Sequence, residues 1–488
     1  MSDARSARRP VLAALAAGLL IAPGRAGALG GEAASEAEPI RLRAAPARVS
    51  LVGEGWPTTE VWAYEGRVPG PVLRARQGEV LRLELENGLP EPTSLYFHGL
   101  RLPPGPNGLP PGIGAEISPG GIGRFTLPLE EAGTFWYHPF RRAAAQVGRG
   151  LYGLLVVEER QPYPVDRDLP LVLDDWRLGK DAVNQPHAAP QEAGQGGAVG
   201  EVVTVEGRVA ARFELRTGER LRLRLLNAAN ARIFALRFKG VDPWLLALDG
   251  RALVPRELPR PLLLAPGMRA DLLLEVPSVR LARIDLLDDA EPQGAARLAS
   301  FWVVRNEPPG PIRPPEPPPA LPPPPLPEPD LERAERHELV VDGGVAVLAT
   351  GRAPVLDPPP ALPPPEPAAL RRLAARGLWW TIQGRALREE ELLAAPPVLR
   401  LARGKSHRLE LVARTAVPVA LHLHGHAFRV LARDGRREPG TPWRDTVLLG
   451  PGERVAIAFV AERAGRFPLH GTVLDHMAAG MLGLVEVV

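Results

Sequence analysis

Gly78-Glu79-Val80-Leu81-Arg82-Leu83-Glu84-Leu85-Glu86-Asn87 is the stretch that decides how this chain folds. A turn glycine is followed by alternating apolar and charged side chains, the two-residue period of a strand with one buried face. The pattern recurs as Gly218-Glu219-Arg220-Leu221-Arg222-Leu223-Arg224-Leu225-Leu226-Asn227 and again as Gly404-Lys405-Ser406-His407-Arg408-Leu409-Glu410-Leu411. A second signal follows each copy at a similar distance: Pro119-Gly120, Pro266-Gly267 and Pro451-Gly452, each leading into a further strand (124–129, 269–276 and 454–460). Three copies of a two-part pattern imply three similar domains. Each reads as a β-sandwich of about 120–150 residues, since short strands recur with turn residues between them. The 50 glycines and 58 prolines fit such a loop-rich all-β chain.

The expected boundaries are 38–160, 165–305 and 334–488, with a proline-rich linker over 306–333. Roughly 22 residues of polyproline II reach about 70 Å, enough to pass the middle domain and return the third to the first. A second proline-rich run, 354–367, reads as a surface loop inside the third domain.

The N-terminus reads as an export signal over residues 1–28. Arg8-Arg9 precede an apolar run from Val11 to Ala22, and Ala26-Gly27-Ala28 has the form of a cleavage site. The run is too short for a membrane-spanning helix, and Ala7-Arg8-Arg9-Pro10-Val11-Leu12 is similar to a twin-arginine signal. The whole chain carries a net +3. Arg5, Arg8, Arg9 and Arg25 against Asp3 account for all of it, so the mature protein is near neutral. That argues against a nucleic-acid partner. There is no cysteine, hence no disulfide and no thiolate ligand.

The repeats give the histidines meaning. Gly78 to His98 spans 20 residues, as does Gly404 to His424; Pro119 to His138 spans 19, as does Pro451 to His470. The middle copy has Phe238 and Asp285 at those offsets and so has no site. The simplest arrangement packs the first domain against the third, with four histidines facing one another. Neutral imidazoles that converge are how proteins hold copper.

The chain resembles the multicopper oxidase family over about residues 40–160, 165–305 and 370–488. The family motif H-W-H-G stands here as Tyr96-Phe97-His98-Gly99, and W-Y-H-S-H as Trp136-Tyr137-His138-Pro139-Phe140. H-P-x-H-L-H-G stands as Val419-Ala420-Leu421-His422-Leu423-His424-Gly425. H-C-H-x3-H-x4-M stands as His470-Gly471-Thr472, then His476 and Met481. The resemblance implies three cupredoxin-like Greek-key sandwiches. It also implies metal-ligand positions at His98, His138, His422, His424, His470, His476 and Met481.

Five ligand positions have changed. Tyr96, Phe140 and Thr472 replace three of the family's eight cluster histidines, leaving the type 2 copper one of two and each type 3 copper two of three. At the type 1 copper, Val419 replaces a histidine and Gly471 the cysteine, which removes both the thiolate and the electron bridge to the cluster. Asp475 stands at the family's proton-relay acid; Asn107 stands where an aspartate is common. His426 lies outside the ligand pattern, and His187, His337 and His407 read as surface residues. Four methionines exclude the methionine-rich insert of cuprous oxidases.

Four-electron reduction of dioxygen is therefore not expected. The favoured reading is an exported, periplasmic, monomeric protein that offers a surface to an envelope partner. A precedent is the family's twin-arginine-exported cell-division branch, which lacks the copper ligands. The alternative is a copper-binding oxidoreductase with a residual histidine site between the first and third domains. Copper in partial occupancy, zinc, or no cofactor are all compatible with the sequence.

Overall fold

Each of the three repeat copies becomes the same pair of strands. Val80–Asn87 pairs antiparallel with Ile122–Pro128, Arg220–Asn227 with Arg269–Glu275, and Ser406–Thr415 with Arg454–Val460. On its other edge each copy takes a parallel partner: Ile40–Val49, Arg167–Trp176 and Glu335–Gly343. The turn glycines Gly78, Gly218 and Gly404 have φ of 96°, 77° and 74°, a left-handed conformation that only glycine adopts freely. The chain is a computed structural model in which residues 38–105, 110, 116–185, 188–277, 283–290, 294–304, 317–344 and 356–488 are described. The export signal, Asn107 and His187 lie outside the described residues, as do parts of both proline-rich runs.

Among the described residues the strands form six sheets that make three sandwiches: four strands with four, six with five, and seven with five. Each sandwich closes on its own core. In the first, Leu83, Leu85 and Phe125 from one sheet meet Phe97, Phe135 and Leu155 from the other. In the second, Leu223, Leu225 and Leu272 meet Phe234, Ile284 and Phe301. In the third, Leu409, Leu411 and Ile457 meet Leu421, Phe467 and Val485. The chain is thus all-β, with three cupredoxin-like Greek-key sandwiches.

Two expectations fail locally. The middle repeat is not half-buried. Arg222 and Arg224 are as buried as the leucines beside them, because the face turned away from the core meets the first sandwich. Arg222 reaches Glu159 at 2.8 Å and Asp271 at 2.6 Å, and Arg224 reaches Thr134 Oγ1 at 2.9 Å. His407 is not a surface residue either; it is fully buried, in phase with Leu409 and Leu411 on the inward face of its strand. His337, read the same way, is partly buried beside it.

The described part of the linker, 317–333, touches all three sandwiches. Leu321 is buried against Leu246, Ala247 and Leu273 of the second. Pro325 accepts a hydrogen bond from Arg101 of the first, while Glu328 pairs with Arg429 and Asp330 N–H donates to Ser406 Oγ of the third. Among the described residues no helix is long and apolar enough to cross a membrane.

Candidate metal centre

The histidines sit where strands of the first and third sandwiches end against each other. Tyr96–His98 pairs antiparallel with Gly133–His138, placing Tyr96 opposite His138. Val419–Leu423 pairs with Gly465–Gly471, placing His422 opposite His470. Tyr96 is therefore the internal counterpart of His422, just as His98 matches His424 and Phe140 matches Thr472. All these side chains are buried.

The two halves do meet. His98 stacks on His422 with ring centres 3.7 Å apart, and Tyr96 stacks on His424 at 4.2 Å. His424 and His470 approach with Nε2 atoms 2.8 Å apart. Phe140 stands edge-on to both, at 5.3 and 5.7 Å. His138 stacks on Trp136 at 3.9 Å.

Hydrogen bonds fix which ring nitrogens can bind a metal. A carbonyl only accepts, so a ring nitrogen bonded to one carries the proton and the other nitrogen of a neutral ring keeps its lone pair. His138, His422 and His470 each donate from Nδ1, to Pro139, Asp445 and Gly471 carbonyls at 2.8, 2.8 and 2.9 Å. Their Nε2 atoms therefore point lone pairs inward, the arrangement a metal-ligating histidine needs. Burial holds His138 and His470 neutral, with pKa values pushed down to about 3. Burial, reinforced by the neighbouring histidines, also lowers His424 and His98.

Two of those three lone pairs are already in use. The Tyr96 hydroxyl donates to His422 Nε2 at 2.8 Å, and His470 Nε2 accepts from His424 Nε2. Of those three, His138 Nε2 is left buried without a hydrogen-bond partner; elsewhere in the cluster His98 Nδ1 and His424 Nδ1 are likewise unpartnered. The residues present thus do not fit a trinuclear copper cluster. Three donors are gone, and Tyr96 and Phe140 fill the space between those that remain.

The type 1 position fits copper no better. Val419 is buried in the third core. A Cβ at Gly471 would lie 2.7 Å from Met481 Sδ and 3.4 Å from His476 Cβ, so the thioether has closed over the missing side chain. His476 donates from Nε2 to the Gln195 carbonyl at 2.7 Å and stacks near Trp380; burial lowers its pKa to about 4. One imidazole and one thioether remain, against a copper–thiolate centre's usual set of two histidines, cysteine and methionine.

Asp475 is buried and accepts the Ala198 N–H at 2.8 Å; burial raises its pKa to about 6. His426 donates to the His424 carbonyl at 2.9 Å, so it props the neighbouring backbone.

Sequence reasoning missed the charged frame beneath the histidines. Asp445 is buried and held by Arg251 and by Arg269 at 2.6 and 2.9 Å, both from the second sandwich. Asp249 answers with Arg444 at 2.6 Å. Asp445 Oδ1 also lies 3.6 Å from His98 Nε2 and 3.5 Å from His422 Nδ1. Gly99 makes room for this: with φ of 91°, any Cβ there would lie 2.8 Å from Asp445 Oδ2 and would strike the Arg269 guanidinium. Asp249 and Asp445 lie just outside strands, and Arg251, Arg269 and Arg444 at strand ends, where charged residues ordinarily meet solvent, so nothing in the one-dimensional pattern marked them.

Three β-sandwiches, with a histidine cluster between the first and the third, define the architecture of a copper oxidase. Family models described as multicopper oxidase match residues 48–162 and 362–488. The structure of a multicopper oxidase from Pseudomonas thermotolerans is 33% identical, with a TM-score of 0.79 over 92% of this chain and 99% of that one. This chain belongs to the multicopper oxidase family. Among curated relatives, the multicopper oxidase MmcO of Mycobacterium tuberculosis is 26% identical over 89% of this chain and 84% of its own. The cell division protein FtsP of Proteus mirabilis is equally similar, 26% over 90% and 88%. FtsP of Edwardsiella tarda reaches 35%, over 44% of this chain and 46% of its own.

Proposed function

We propose that this chain is a non-oxidase member of its family, exported to the periplasm by the twin-arginine route, where it acts by binding an envelope partner rather than by reducing dioxygen. The observation that carries this reading is the closed histidine cluster: the Tyr96 hydroxyl occupies the lone pair of His422, and His424 and His470 bond to each other. The cysteine-free sequence and the likeness to FtsP, a cell division protein, support it. We take 38–160, 165–305 and 334–488 as the folding units of the mature protein, joined across 306–333, and expect a monomer.

One observation favours a second reading. The buried, unpartnered Nε2 of His138 is a free metal donor. If Tyr96 rotated away, His98, His138, His422, His424 and His470 could share a copper, with His476 and Met481 outside that site and Asp475 as a proton relay.

Copper loading followed by dialysis separates the two. The first reading expects under one copper retained per chain, no blue absorption band and no turnover of phenolic substrates. A tightly held copper with a type 2 electron paramagnetic resonance signal would overturn it in favour of the second.

A further inference from the structure

Outside the oxidase-type site, the third sandwich brings together two imidazoles and a carboxylate. Glu335 and His337 lie two residues apart on Glu335–Gly343, so they share a face, and Glu335 is in register with His407 on the neighbouring parallel strand. His407 is fully buried and donates from Nε2 to the Ala402 carbonyl at 3.0 Å. That bond leaves the His407 Nδ1 lone pair to accept the His337 Nε2–H at 3.1 Å, with Glu335 Oε2 at 3.5 Å; a bound cation takes the place of that proton, which shifts to His337 Nδ1. One ligand atom from each residue lies within 4.8 Å of the others. A tetrahedron with bonds of about 2.1 Å has edges of about 3.4 Å, and the two measured separations bracket that value.

From this geometry we infer that Glu335, His337 and His407 form a zinc site, with two nitrogens and one oxygen from the protein and the fourth position open to water. The Glu335 side chain is 48% exposed, which gives the ion an entry path from solvent. The Ala402 carbonyl fixes the tautomer of the buried ligand, the supporting bond that histidine–metal sites regularly show. The ion would tie the strand that follows the linker to the strand beside it. The inference does not depend on whether the buried cluster binds copper.

The test uses the full mature chain freed of metal with a chelator. Zn2+ is titrated by calorimetry and Co2+ by visible absorption. The expected result is one Zn2+ per chain and tetrahedral Co2+ bands. Both should weaken by at least about tenfold in His337→Asn and in Glu335→Gln, and be retained in His138→Phe. The two test substitutions lie at partly exposed positions, so folding is checked by circular dichroism and is expected to persist. The inference is overturned if no Zn2+ binds, if H337N and E335Q bind it as the parent does, or if only the His138 variant loses it.

Discussion

Replacing Asp445 by asparagine removes one buried charge and leaves the shape almost unchanged. The carboxylate holds Arg251 and Arg269, whose side chains are 1% and 0% exposed. The two guanidinium groups then keep weaker ionic partners, Glu131 at 3.3 Å for Arg251 and Asp249 at 3.7 Å for Arg269, and their bonds to backbone carbonyls, among them Gly99 at 2.7 Å for Arg251 and Gly267 at 2.8 Å for Arg269. Breaking a buried pair from one side costs about 3–5 kcal/mol, and the surviving partners place this case near ~3 kcal/mol. Urea unfolding followed by tryptophan fluorescence measures the loss in the first transition, since three sandwiches need not unfold together. A pH series supplies the sign. Burial pushes the Asp445 carboxyl up, but Arg269 and Arg251 outweigh it and hold it well below the usual carboxylate range. Its contribution is therefore complete above the unfolded value of about 3.9 and fades only as pH falls below about 4, through the folded value. The gap between parent and D445N should be constant from about pH 8 to about pH 5 and narrow below about 4. A loss under about 1 kcal/mol at neutral pH would refute the view that this carboxylate clasps the second sandwich to the third.

Other outcomes follow from the same geometry. Tyr96→Phe leaves His422 Nε2 buried without a donor and should cost about 1–3 kcal/mol by urea unfolding, whereas Tyr96→His should raise copper retention after dialysis. Gly471→Cys must displace Met481 Sδ, costing about 1–3 kcal/mol, and should give no blue band, because Val419 still stands where a second imidazole is needed. Buried neutral histidines should make the fold acid-sensitive. His138 and His470 titrate at about 3 in the folded chain, and His426 and His476 at about 4, all below the unfolded value near ~6.5. Each therefore adds stability above about pH 6.5 that is lost at up to ~1.4 kcal/mol per pH unit as pH falls toward those values, and the thermal midpoint should drop steeply from about pH 6 to pH 4.

The fold was legible because glycine turns and two-residue alternation are local signals that three copies repeat. The histidine register was legible for the same reason, as offsets from those turns. What the sequence left unread depends on neighbours far along the chain. Arg222 and Arg224 alternate with leucine as exposed residues do, and only the docking of the first sandwich buries them. His407 did carry a signal, its phase with Leu409 and Leu411, but a polar side chain in an inward position reads as a surface residue until its partners are known. The hydrogen bond from Tyr96 to His422 joins positions 326 residues apart, which no local pattern reveals.

The arginine–carboxylate frame around Asp445 and Asp249 has a consequence for the cell. Proteins whose domains are joined through a shared metal fold in step with the supply of that metal. Here the three sandwiches are tied by ions the chain itself encodes, so on the non-oxidase reading proposed above the amount of folded protein is uncoupled from copper availability. On that reading a copper-starved cell holds as much of it as a copper-replete one.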